Sequence, residues 1–564
     1  HRDLHSFPTR RSSDLNQENL TSGKRNIIWI ILGTINLVLI FVLIAKPEII
    51  FSNPQNAETV SFDSETFVPT STDELVDYVK PTSTSIKITT DPSSIDEFVI
   101  LSMNVDQKSK LYLFDPQKNS FTQLFNDPYE RIHPALSENQ EMIAYSAKIN
   151  GYWDLYFLDL VSGIETRVTD THEYEGAPTW SPDNQYLAYE SYKHGNLDIF
   201  IQNISDLNIP PIQLTTDEFA QISPAWNPKG DEIAFVSTEN DEEEIYIAKL
   251  STLENRFVQI TDRPNLPDLN PKWSPDGQKI FWMSESNGYP VLVSSTPTNN
   301  YSLISEVGSG TDISISKISQ SIIQEEANQS FLIIKNTEEN HLLFPPYELP
   351  GSVQGHVLLS DFHGMDKLLE RVLDYPSPIA NPPQDEQPED RKQLAVVENL
   401  EANSHYLHED AIEPFYQFRT MISNETGWDF FYQLDNTYVP ITDPTIPGMV
   451  EDWLFTGRAF EFNPLSTYAG LVVSIKEERS GNTYWRILVK SRYQDGSQGL
   501  PVRQLPFDIS SRYNNDPATY ETGGKKIPIP EGYWVDITEI GRGLKWERLP
   551  ALGNWQRYFE ATRF

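Results

Sequence analysis

The sequence predicts an all-β propeller of about six four-stranded blades, with a single transmembrane helix before it and an α+β domain after it. Three observations support this architecture. A proline–tryptophan motif recurs between residues 134 and 283, and an uncharged apolar stretch covers residues 27–45. After a proline-rich, acidic segment at 349–391, the repeat gives way to a mixture of helical and strand patterns.

The motif reads Pro-Thr-Trp-Ser-Pro-Asp-Asn from Pro178, Pro-Ala-Trp-Asn-Pro-Lys-Gly from Pro224 and Pro-Lys-Trp-Ser-Pro-Asp-Gly from Pro271. An eroded copy begins at Pro134, and the leading prolines are 44, 46 and 47 residues apart. This period is typical of propeller blades. Proline presets φ in such a turn, and glycine accepts positive φ. The repeat is defined by Pro178, Trp180, Pro182, Pro224, Trp226, Pro228, Pro271, Trp273 and Pro275.

Each copy continues with a short apolar strand, such as 187–189, and then a strand of alternating character, such as 198–201. One four-stranded sheet cannot bury both of its faces, so successive sheets must stack around an axis. The three tryptophans of the repeat are therefore predicted to pack between blades. Asp154, Asp198 and Glu244 each open one strand in successive blades. Symmetry predicts that they form a common ring, either hydrogen-bonded to neighbouring turns or forming a polar rim that binds a ligand.

At these residues the sequence resembles the TolB-like family of β-propellers, whose repeat carries the same P-x-W-S-P-D-G turn followed by I-A-F/Y. The resemblance covers roughly residues 132–285. Strand patterns at 98–124 and 313–334 supply one further blade on each side. This makes about six blades between residues 88 and 348, the number that the resemblance implies. A strand at 86–88 is expected to close the ring.

Composition excludes several classes of function. The net charge of −38 and the pI near 4.6 argue against sequence-independent nucleic-acid binding, which needs a basic face. The chain has no cysteine, so disulfides, thiolate metal sites, cysteine nucleophiles and a lipobox anchor are excluded. An apolar content of 38% with 12 tryptophans favours folded domains over disorder.

The N-terminal region predicts a membrane anchor. Residues 1–15 lack an initiator Met and are interpreted as translated adapter sequence, outside the fold. Residues 16–26 form a short tail that ends near Lys24 and Arg25, and the apolar stretch at 27–45 is long enough to cross a bilayer. A signal peptide is the alternative, but no A-x-A-like cleavage site follows.

The positive-inside rule places the N-terminal tail in the cytoplasm, because the basic pair precedes the apolar stretch. The bulk of the chain is therefore expected to lie outside the cell membrane. Residues 46–87 are rich in Ser, Thr and Pro, and they predict a flexible stalk between membrane and propeller.

Residues 392–564 are interpreted as an α+β module. Helical periodicity appears at 394–400 and 411–422, and strands at 470–475 and 484–489 predict a hairpin. A short helix is also predicted at 365–373, within the linker. The sequence stops without a polar taper, so the module is expected to be truncated.

The module does not contain the residues of a serine-hydrolase triad. No G-x-S-x-G follows the repeat, and no histidine follows His408. Residues 453–462 are faintly similar to the zinc motif of D-Ala-D-Ala carboxypeptidases. Gly457 and Ala459 match that motif, and Glu461 stands where the ligand Asp would be. Leu454 replaces the ligand histidine. The resemblance therefore implies a pseudo-peptidase without a metal.

The candidate ligand-binding residues of the module are Arg458, Glu461, Trp534 and Asp536. Glu461 and Asp536, with Asp452, could instead be paired carboxylates for glycoside hydrolysis, or structural carboxylates. The module's tryptophans could form a sugar-stacking platform or pack in the core. No metal or cofactor is expected.

The combined hypothesis is a single-pass membrane protein that presents a propeller outside the cytoplasm and binds a protein, a peptide or a cell-envelope polymer. The alternative is an enzyme, or a degenerate pseudo-peptidase, that processes cell-wall peptide or glycan through the C-terminal module. A nucleic-acid partner is not expected.

Overall fold

The structure is a computed structural model of the 564-residue chain. It describes residues 97–557, apart from residues 253, 361 and 363 and the segments 298–303, 327–328, 371–392, 443–451 and 463–464. These residues belong to one compact unit, Ser85–Phe564. The predicted tail, transmembrane helix and stalk, and the strand expected at 86–88, lie outside the described residues. Among the helices that are described, none is both long and apolar enough to cross a membrane.

Six four-stranded antiparallel sheets form the blades of a ring. Their first strands contact one another in a closed cycle around the centre. Alternating apolar residues bury both faces of most sheets against the neighbouring blades, as stacking requires. In chain order the strands are β1 (Glu97–Val105), β2 (Lys108–Asp115), β3 (Ser120–Gln123), β4 (Glu130–Leu136), β5 (Met142–Ile149), β6 (Tyr152–Asp159), β7 (Glu165–Arg167), β8 (Glu175–Trp180), β9 (Tyr186–Lys193), β10 (Asn196–Asn203), β11 (Ile212–Gln213), β12 (Gln221–Trp226), β13 (Glu232–Ser237), β14 (Glu244–Lys249), β15 (Phe257–Gln259), β16 (Leu269–Trp273), β17 (Ile280–Ser286), β18 (Tyr289–Ser295), β19 (Ser305–Ser309), β20 (Asp312–Ile315), β21 (Ser319–Glu326), β22 (Gln329–Asn336), β23 (Tyr347–Leu349) and β24 (Ser352–Ser360).

Blade 1 consists of β24, β1, β2 and β3, and blades 2 to 6 take four successive strands each, from β4 to β23. The ring is therefore closed by β24, which pairs antiparallel with β1. This corrects two expectations from the sequence. First, β24 lies within residues 349–391, which were assigned to the linker. Second, the strand that closes the ring follows blade 6 in the chain, whereas it was expected at 86–88, before blade 1. The segment carries no tryptophan motif, so the repeat did not indicate it.

The tryptophans of the repeat connect adjacent blades, as predicted. The indole N–H of Trp180 donates to the carbonyl of Ala135 in blade 2, and that of Trp273 donates to Ala225 in blade 4, both at 3.0 Å. Trp226 packs against a core shared by blades 3 and 4, but its N–H reaches only its own turn, at Gly230 (3.4 Å). The leading proline and the tryptophan of each copy belong to the inner strand, so the turn itself is shorter than the sequence motif.

The C-terminal module is α+β, with a three-stranded sheet at its centre. The long helix predicted at 411–422 and the hairpin across Ser480 and Gly481 are both present. The helix predicted at 394–400 is wrong, because residues 394–396 form a strand that pairs with residues 406–408. The helices are α1 (Met365–Leu369), α2 (Glu409–Thr426), α3 (Leu465–Tyr468), α4 (Pro517–Thr522) and α5 (Ile537–Gly543); the 3-10 turns are Glu239–Asp241, Phe430–Tyr432, Trp453–Thr456 and Ile509–Tyr513; the strands are β25 (Leu394–Val396), β26 (Tyr406–His408), β27 (Leu434–Asn436), β28 (Glu461–Phe462), β29 (Val472–Arg479), β30 (Asn482–Lys490), β31 (Phe507–Asp508), β32 (Lys525–Lys526) and β33 (Trp534–Asp536).

The core of the module is aromatic. Phe415 and Phe418 of α2 pack against Phe431, and Trp485 of β30 packs edge-on against Trp555. Such edge and offset pairs add to the stabilisation from burial. For Trp485 and Trp555 the structure thus favours core packing over a sugar-stacking platform.

Candidate functional site

The inner strands of four consecutive blades contain the same bulge. The residue before each leading proline has a positive φ: 54° at His133, 46° at Ala177, 53° at Ser223 and 54° at Asn270. The pairing register shifts at each of these positions. A bulge redirects side chains, and proline fits beside it because one ladder donor is already lost. The four residues and their prolines line the centre of the ring.

The C-terminal module covers one mouth of this ring. It touches the hairpins between the second and third strands of five blades, and in blade 2 it reaches the inner-strand bulge. The contacts are Ile540 O to Gln107 Nε2 (3.1 Å), Arg503 to His133 (3.2 Å), Gly532 N to Tyr192 Oη (2.6 Å), Lys526 to Glu243 (2.7 Å), Gly481 N to Gly288 O (3.1 Å) and Arg479 to Glu325 (2.6 Å). Contacts with every blade fix the position of the module over the ring.

The most deeply placed contact is made by Arg503. Its Nη2 donates to Glu190 Oε2 at 3.0 Å and to Ser223 Oγ at 3.1 Å. Glu190 has no exposed surface, and it also accepts hydrogen bonds from Tyr174 Oη (3.0 Å) and from the backbone N–H of Ser223 (2.8 Å). A buried carboxylate that accepts hydrogen bonds from this many donors forms a binding site for one guanidinium group.

A second cluster of charges lies where the module faces blade 6. Glu477 accepts from Arg486 (2.9 Å) and Arg548 (2.8 Å), while Arg479 bridges it to Glu325 of the propeller. Burial alone would raise the pKa of Glu477, but the three guanidiniums hold that pKa well below its ordinary value. Burial likewise opposes the effect of Arg479 on Glu325, whose pKa is nevertheless lowered. Both carboxylates therefore stay ionised and hold the module in place.

Ring and module together line a cavity of about 560 Å³ that is partly open. The bulged inner strands supply one side of it, with His133, Lys272 and His356 among the lining residues. The module supplies the other side, including Arg503 and Trp534. This volume lies within the range of cavities that hold small ligands, about 300–1,000 Å³.

The structure places only two of the four candidate residues from the sequence at the cavity. Trp534 and Asp536 lie on β33, and both line the cavity, as does Val535 between them. Arg458 lies elsewhere on the module, with its guanidinium 3.4 Å from Asp410, and half of its side chain is exposed. Glu461 accepts a hydrogen bond from Asn436 at 3.1 Å. The residues that sequence reasoning missed are Arg503, Glu190, His133 and Lys272, which have no local motif.

The carboxylates considered for glycoside hydrolysis have structural hydrogen bonds. Asp452 accepts from Leu454 N and caps a 3-10 turn, and Asp536 accepts from Glu539 N and caps α5, both at 3.0 Å. Burial raises the pKa of Asp536, although Arg486 acts against the rise. Of Asp452, Glu461 and Asp536, only Asp536 lines the cavity.

The segment that is similar to the carboxypeptidase motif folds as a 3-10 turn ending at Gly457, where φ is 67°. Leu454, at the position of the missing histidine, is a core residue with 3% exposure. In the part of the chain that the structure describes, no cluster of three or more His, Asp or Glu side chains could hold a metal ion.

Asp154, Asp198 and Glu244 occupy equivalent places in blades 2, 3 and 4. Asp154 accepts from Thr171 N (3.0 Å) and pairs with Arg167, while Asp198 accepts from Thr215 Oγ1 (3.2 Å) and Glu244 from the Arg263 backbone N–H (2.7 Å). All three side chains are buried. The structure thus supports the turn-bonded alternative over a binding rim.

Fold and site together define a six-bladed β-propeller whose central cavity is covered by an α+β module of the same chain. The sequence model described as the TolB beta propeller domain matches residues 177–343. Together with the six four-stranded sheets, this match shows that the ring is a TolB-like β-propeller. No curated protein matches the chain in sequence.

The solved structures that are similar to this chain include two TolB proteins. TolB from Acinetobacter baumannii is 18% identical over 49% of this chain and 68% of its own, with a TM-score of 0.40. The putative TolB from Agrobacterium tumefaciens is 13% identical over 46% of this chain and 92% of its own, with a TM-score of 0.36. Similarity at this level carries no information about function.

Proposed function

We propose that this protein is a membrane-anchored, extracytoplasmic scaffold that binds a protein, peptide or cell-envelope partner through its propeller. The observation that carries the proposal is the position of the C-terminal module. It covers the mouth formed by the hairpins between second and third strands, and so leaves the opposite face, with the turns of the tryptophan motif, for a partner.

The turns on the opposite face are joined to one another. Asn184 Oδ1 of blade 3 accepts from the backbone N–H of Glu138 in blade 2 at 3.0 Å, and Asn227 Nδ2 of blade 4 donates to the carbonyl of Gly277 in blade 5 at 3.3 Å. Loops held on a rigid scaffold are where binding residues are most often found. A preformed surface also loses little conformational entropy when a partner binds.

The state of the charged groups favours binding over catalysis. Arg503 and Glu190 satisfy each other, and Glu477 is held by arginines that keep its pKa low. Groups locked in this way are poor proton donors and acceptors for catalysis. They are well suited to hold two parts of a scaffold together.

The membrane anchor is supported by the sequence, through the uncharged stretch at 27–45 after Lys24 and Arg25. The chain has no cysteine, so a single introduced thiol can report topology. Ser71→Cys, in the proposed stalk, should react with a membrane-impermeant maleimide on intact cells, and Ser22→Cys should react only after lysis. Labelling of Ser22→Cys in intact cells would refute the orientation.

The binding proposal is tested with a photo-crosslinking amino acid in the full-length protein. At Asp183, which is exposed on the uncovered face, it should give adducts with an envelope component. At Gln107, which the module covers, it should give none. Adducts from Gln107 alone would contradict the assignment of the face. Release of peptidoglycan fragments by the wild type, lost in a Glu461→Gln, Asp536→Asn double variant, would identify the enzyme instead.

A further inference from the structure

The loop between β10 and β11 of blade 3 carries apolar side chains on the surface of the protein. Every residue from 205 to 213 is exposed, and residues 209–212 read Ile-Pro-Pro-Ile. Ile212 is 63% exposed, Ile209 is 47% exposed and Leu207 is 37% exposed. Soluble proteins seldom leave neighbouring apolar side chains uncovered to this extent, and such a surface commonly marks an interaction site.

The loop is held in one conformation by side chains of β10. Gln202 is 3% exposed, and its Nε2 donates to the carbonyl of Ile209 at 2.9 Å and to that of Asn203 at 3.0 Å. Asn203 Oδ1 accepts in turn from the backbone N–H of Asp206 at 2.9 Å. The two prolines restrict the backbone further, because each fixes its own φ. A loop ordered in this way loses little conformational entropy when it is bound.

The two prolines alone have a structural explanation, but the isoleucines beside them do not. β11 is the outer strand of its blade, and a proline at an edge prevents pairing with a strand of another molecule because it has no N–H. That protection does not require Ile209 and Ile212, since charged side chains protect an edge without exposing apolar surface. The isoleucines therefore indicate a surface that is covered by a partner.

The loop lies on the face of the ring that the module leaves uncovered. At its start, Ile204 N donates to the carbonyl of Gln185, in the tryptophan-motif turn of the same blade, at 2.8 Å. The neighbouring blades expose apolar residues at the same end of their outer strands, namely Ile164 in blade 2 (64%) and Phe257 in blade 4 (44%). We define the apolar patch as Ile164, Leu207, Ile209, Ile212 and Phe257.

The connections that accompany the apolar patch are acidic. The turns and loops of blades 2, 3 and 4 on this face contain the acidic residues Glu138, Glu141, Asp183, Asp206, Asp231 and Glu254, and as basic residues only Lys229 and Arg256. An anionic lipid surface would meet like charge here, and so would a second copy of this chain, whose net charge is −38. The surface that complements the patch is apolar and is bordered by cations.

We propose that the apolar patch docks into an apolar groove of a partner protein whose borders carry lysine and arginine side chains. This inference rests on the proposed function and specifies which part of the uncovered face takes the partner. A residue before proline is restricted to extended conformations, so Ile209 and the prolines present a stiff, extended segment. Extended segments that contain proline are typically recognised by aromatic-lined grooves.

A photo-crosslinking amino acid at Asn208, in the full-length protein and in its native cells, tests the proposal. Asn208 is exposed within the loop, and Ile318, exposed in a turn of blade 6 on the same face, is the matched control position. Adducts with another protein are expected from Asn208 and not from Ile318. The partner's cross-linked residue, mapped by mass spectrometry, should lie in an apolar groove bordered by Lys or Arg. Equal adducts from both positions, or adducts only with lipid or with a second copy of the chain, would overturn the proposal.

The apolar contribution is measured with the crosslinker kept at Asn208. The double variant Ile209→Ser, Ile212→Ser should lower the adduct yield by at least about tenfold, because both exposed isoleucines lose their apolar contact. Ile318→Ser should leave the yield unchanged. All of these side chains are exposed, so the substitutions do not alter the core. An undiminished yield in the double variant would contradict docking through the patch.

The charge contribution is measured in the same way. Glu254→Lys, in the loop of blade 4 beside the patch, should lower the adduct yield, because it places a cation opposite the basic border of the groove. Glu338→Lys, which alters an exposed glutamate on the same face of blade 6, should not. An equal effect of the two substitutions would refute a specific basic border.

The crosslinker at Asp183 separates this proposal from the scaffold proposal. Adducts from Asp183 without adducts from Asn208 would overturn docking through the apolar patch and leave the scaffold function standing. Adducts from neither position would overturn both.

Discussion

Arg503 of the C-terminal module donates a 3.0 Å hydrogen bond to Glu190, a fully buried carboxylate of blade 3 that lies 313 positions earlier in the chain. Tyr174 and the backbone of Ser223 donate to the same carboxylate. The binding site for the guanidinium is thus formed entirely by the propeller. Because Arg503 of the module fills this site, it joins the two domains at the centre of the ring.

Arg503→Met should reduce the free energy of unfolding by about 3 kcal/mol, because it leaves the Glu190 carboxylate buried without its cation. Urea unfolding measures the loss, and hydrogen exchange should show faster exchange in β8 and β9. The double variant Arg503→Met, Glu190→Gln should lose less than Arg503→Met alone, since no buried charge remains. Arg458→Met is the control, because Arg458 is exposed and its ion pair contributes little. Equal losses for Arg503→Met and Arg458→Met would contradict the assignment.

Trp180→Phe should cost about 1 kcal/mol beyond the change in packing, because it removes the hydrogen bond to Ala135 that joins blades 2 and 3. Trp226→Phe is the matched comparison. It should cost less, since its N–H makes only a 3.4 Å contact with its own turn and the ring is partly exposed. Chemical denaturation of both variants gives the difference. The inter-blade role would be refuted by a larger loss in Trp226→Phe.

Glu175→Gln should stabilise the protein in a pH-dependent manner. Burial, reinforced by the nearby charge of Asp154, raises the pKa of Glu175 to about 8 in the folded chain. The folded chain then binds this proton more tightly than the unfolded chain. The stabilisation that results from this tighter proton binding is therefore fully present below the pKa that Glu175 has in the unfolded chain, and it is lost as the pH rises towards 8.

The difference in the free energy of unfolding between Glu175→Gln and the wild type should consequently be small at pH 4. It should grow by about 1.4 kcal/mol per pH unit above the unfolded pKa and level off above pH 8. Urea unfolding between pH 4 and pH 9 measures this. The control is Glu218→Gln, which changes an exposed carboxylate and should show no such slope. A difference independent of pH would show that folding does not raise the pKa of Glu175.

Gly351→Ala should weaken the pairing between β24 and β1 that closes the ring. A Cβ at this position would lie 2.0 Å from the carbonyl oxygen of Asn104 on β1, so β24 must move away from its partner. Overpacking of this kind costs about 1–3 kcal/mol. Hydrogen exchange of β1 and β24 amides reports the change. Gly553→Ala, where a Cβ would meet nothing within 4 Å, should exchange as the wild type does. Unchanged protection of β1 in Gly351→Ala would show that β24 does not depend on this close approach.

Local patterns predicted the blades well. Strand alternation and the Pro-x-Trp repeat each depend on residues that lie close together in sequence, so the number of blades and the inter-blade position of the tryptophans could be inferred from them. The long helix α2 and the hairpin of β29 and β30 were accessible for the same reason. The segment at 394–400 was assigned wrongly because a short apolar run fits both a helix and a strand.

The closing strand β24 has an apolar pattern but no tryptophan motif, so only its pairing with β1 revealed its place. The bulges were equally hidden, since a positive φ at Ala177 or Ser223 is not indicated by the residue type.

By itself, the sequence determined that sheets of one pattern must stack, because their apolar faces and their tryptophans recur at a fixed interval. The tertiary structure alone decided that the C-terminal module covers the ring and that Arg503 reaches Glu190. It also decided that Lys272 and His133 face a common cavity. The physical reason is that a contact between side chains hundreds of residues apart depends on the path of the whole chain, and no periodicity within either segment encodes that path.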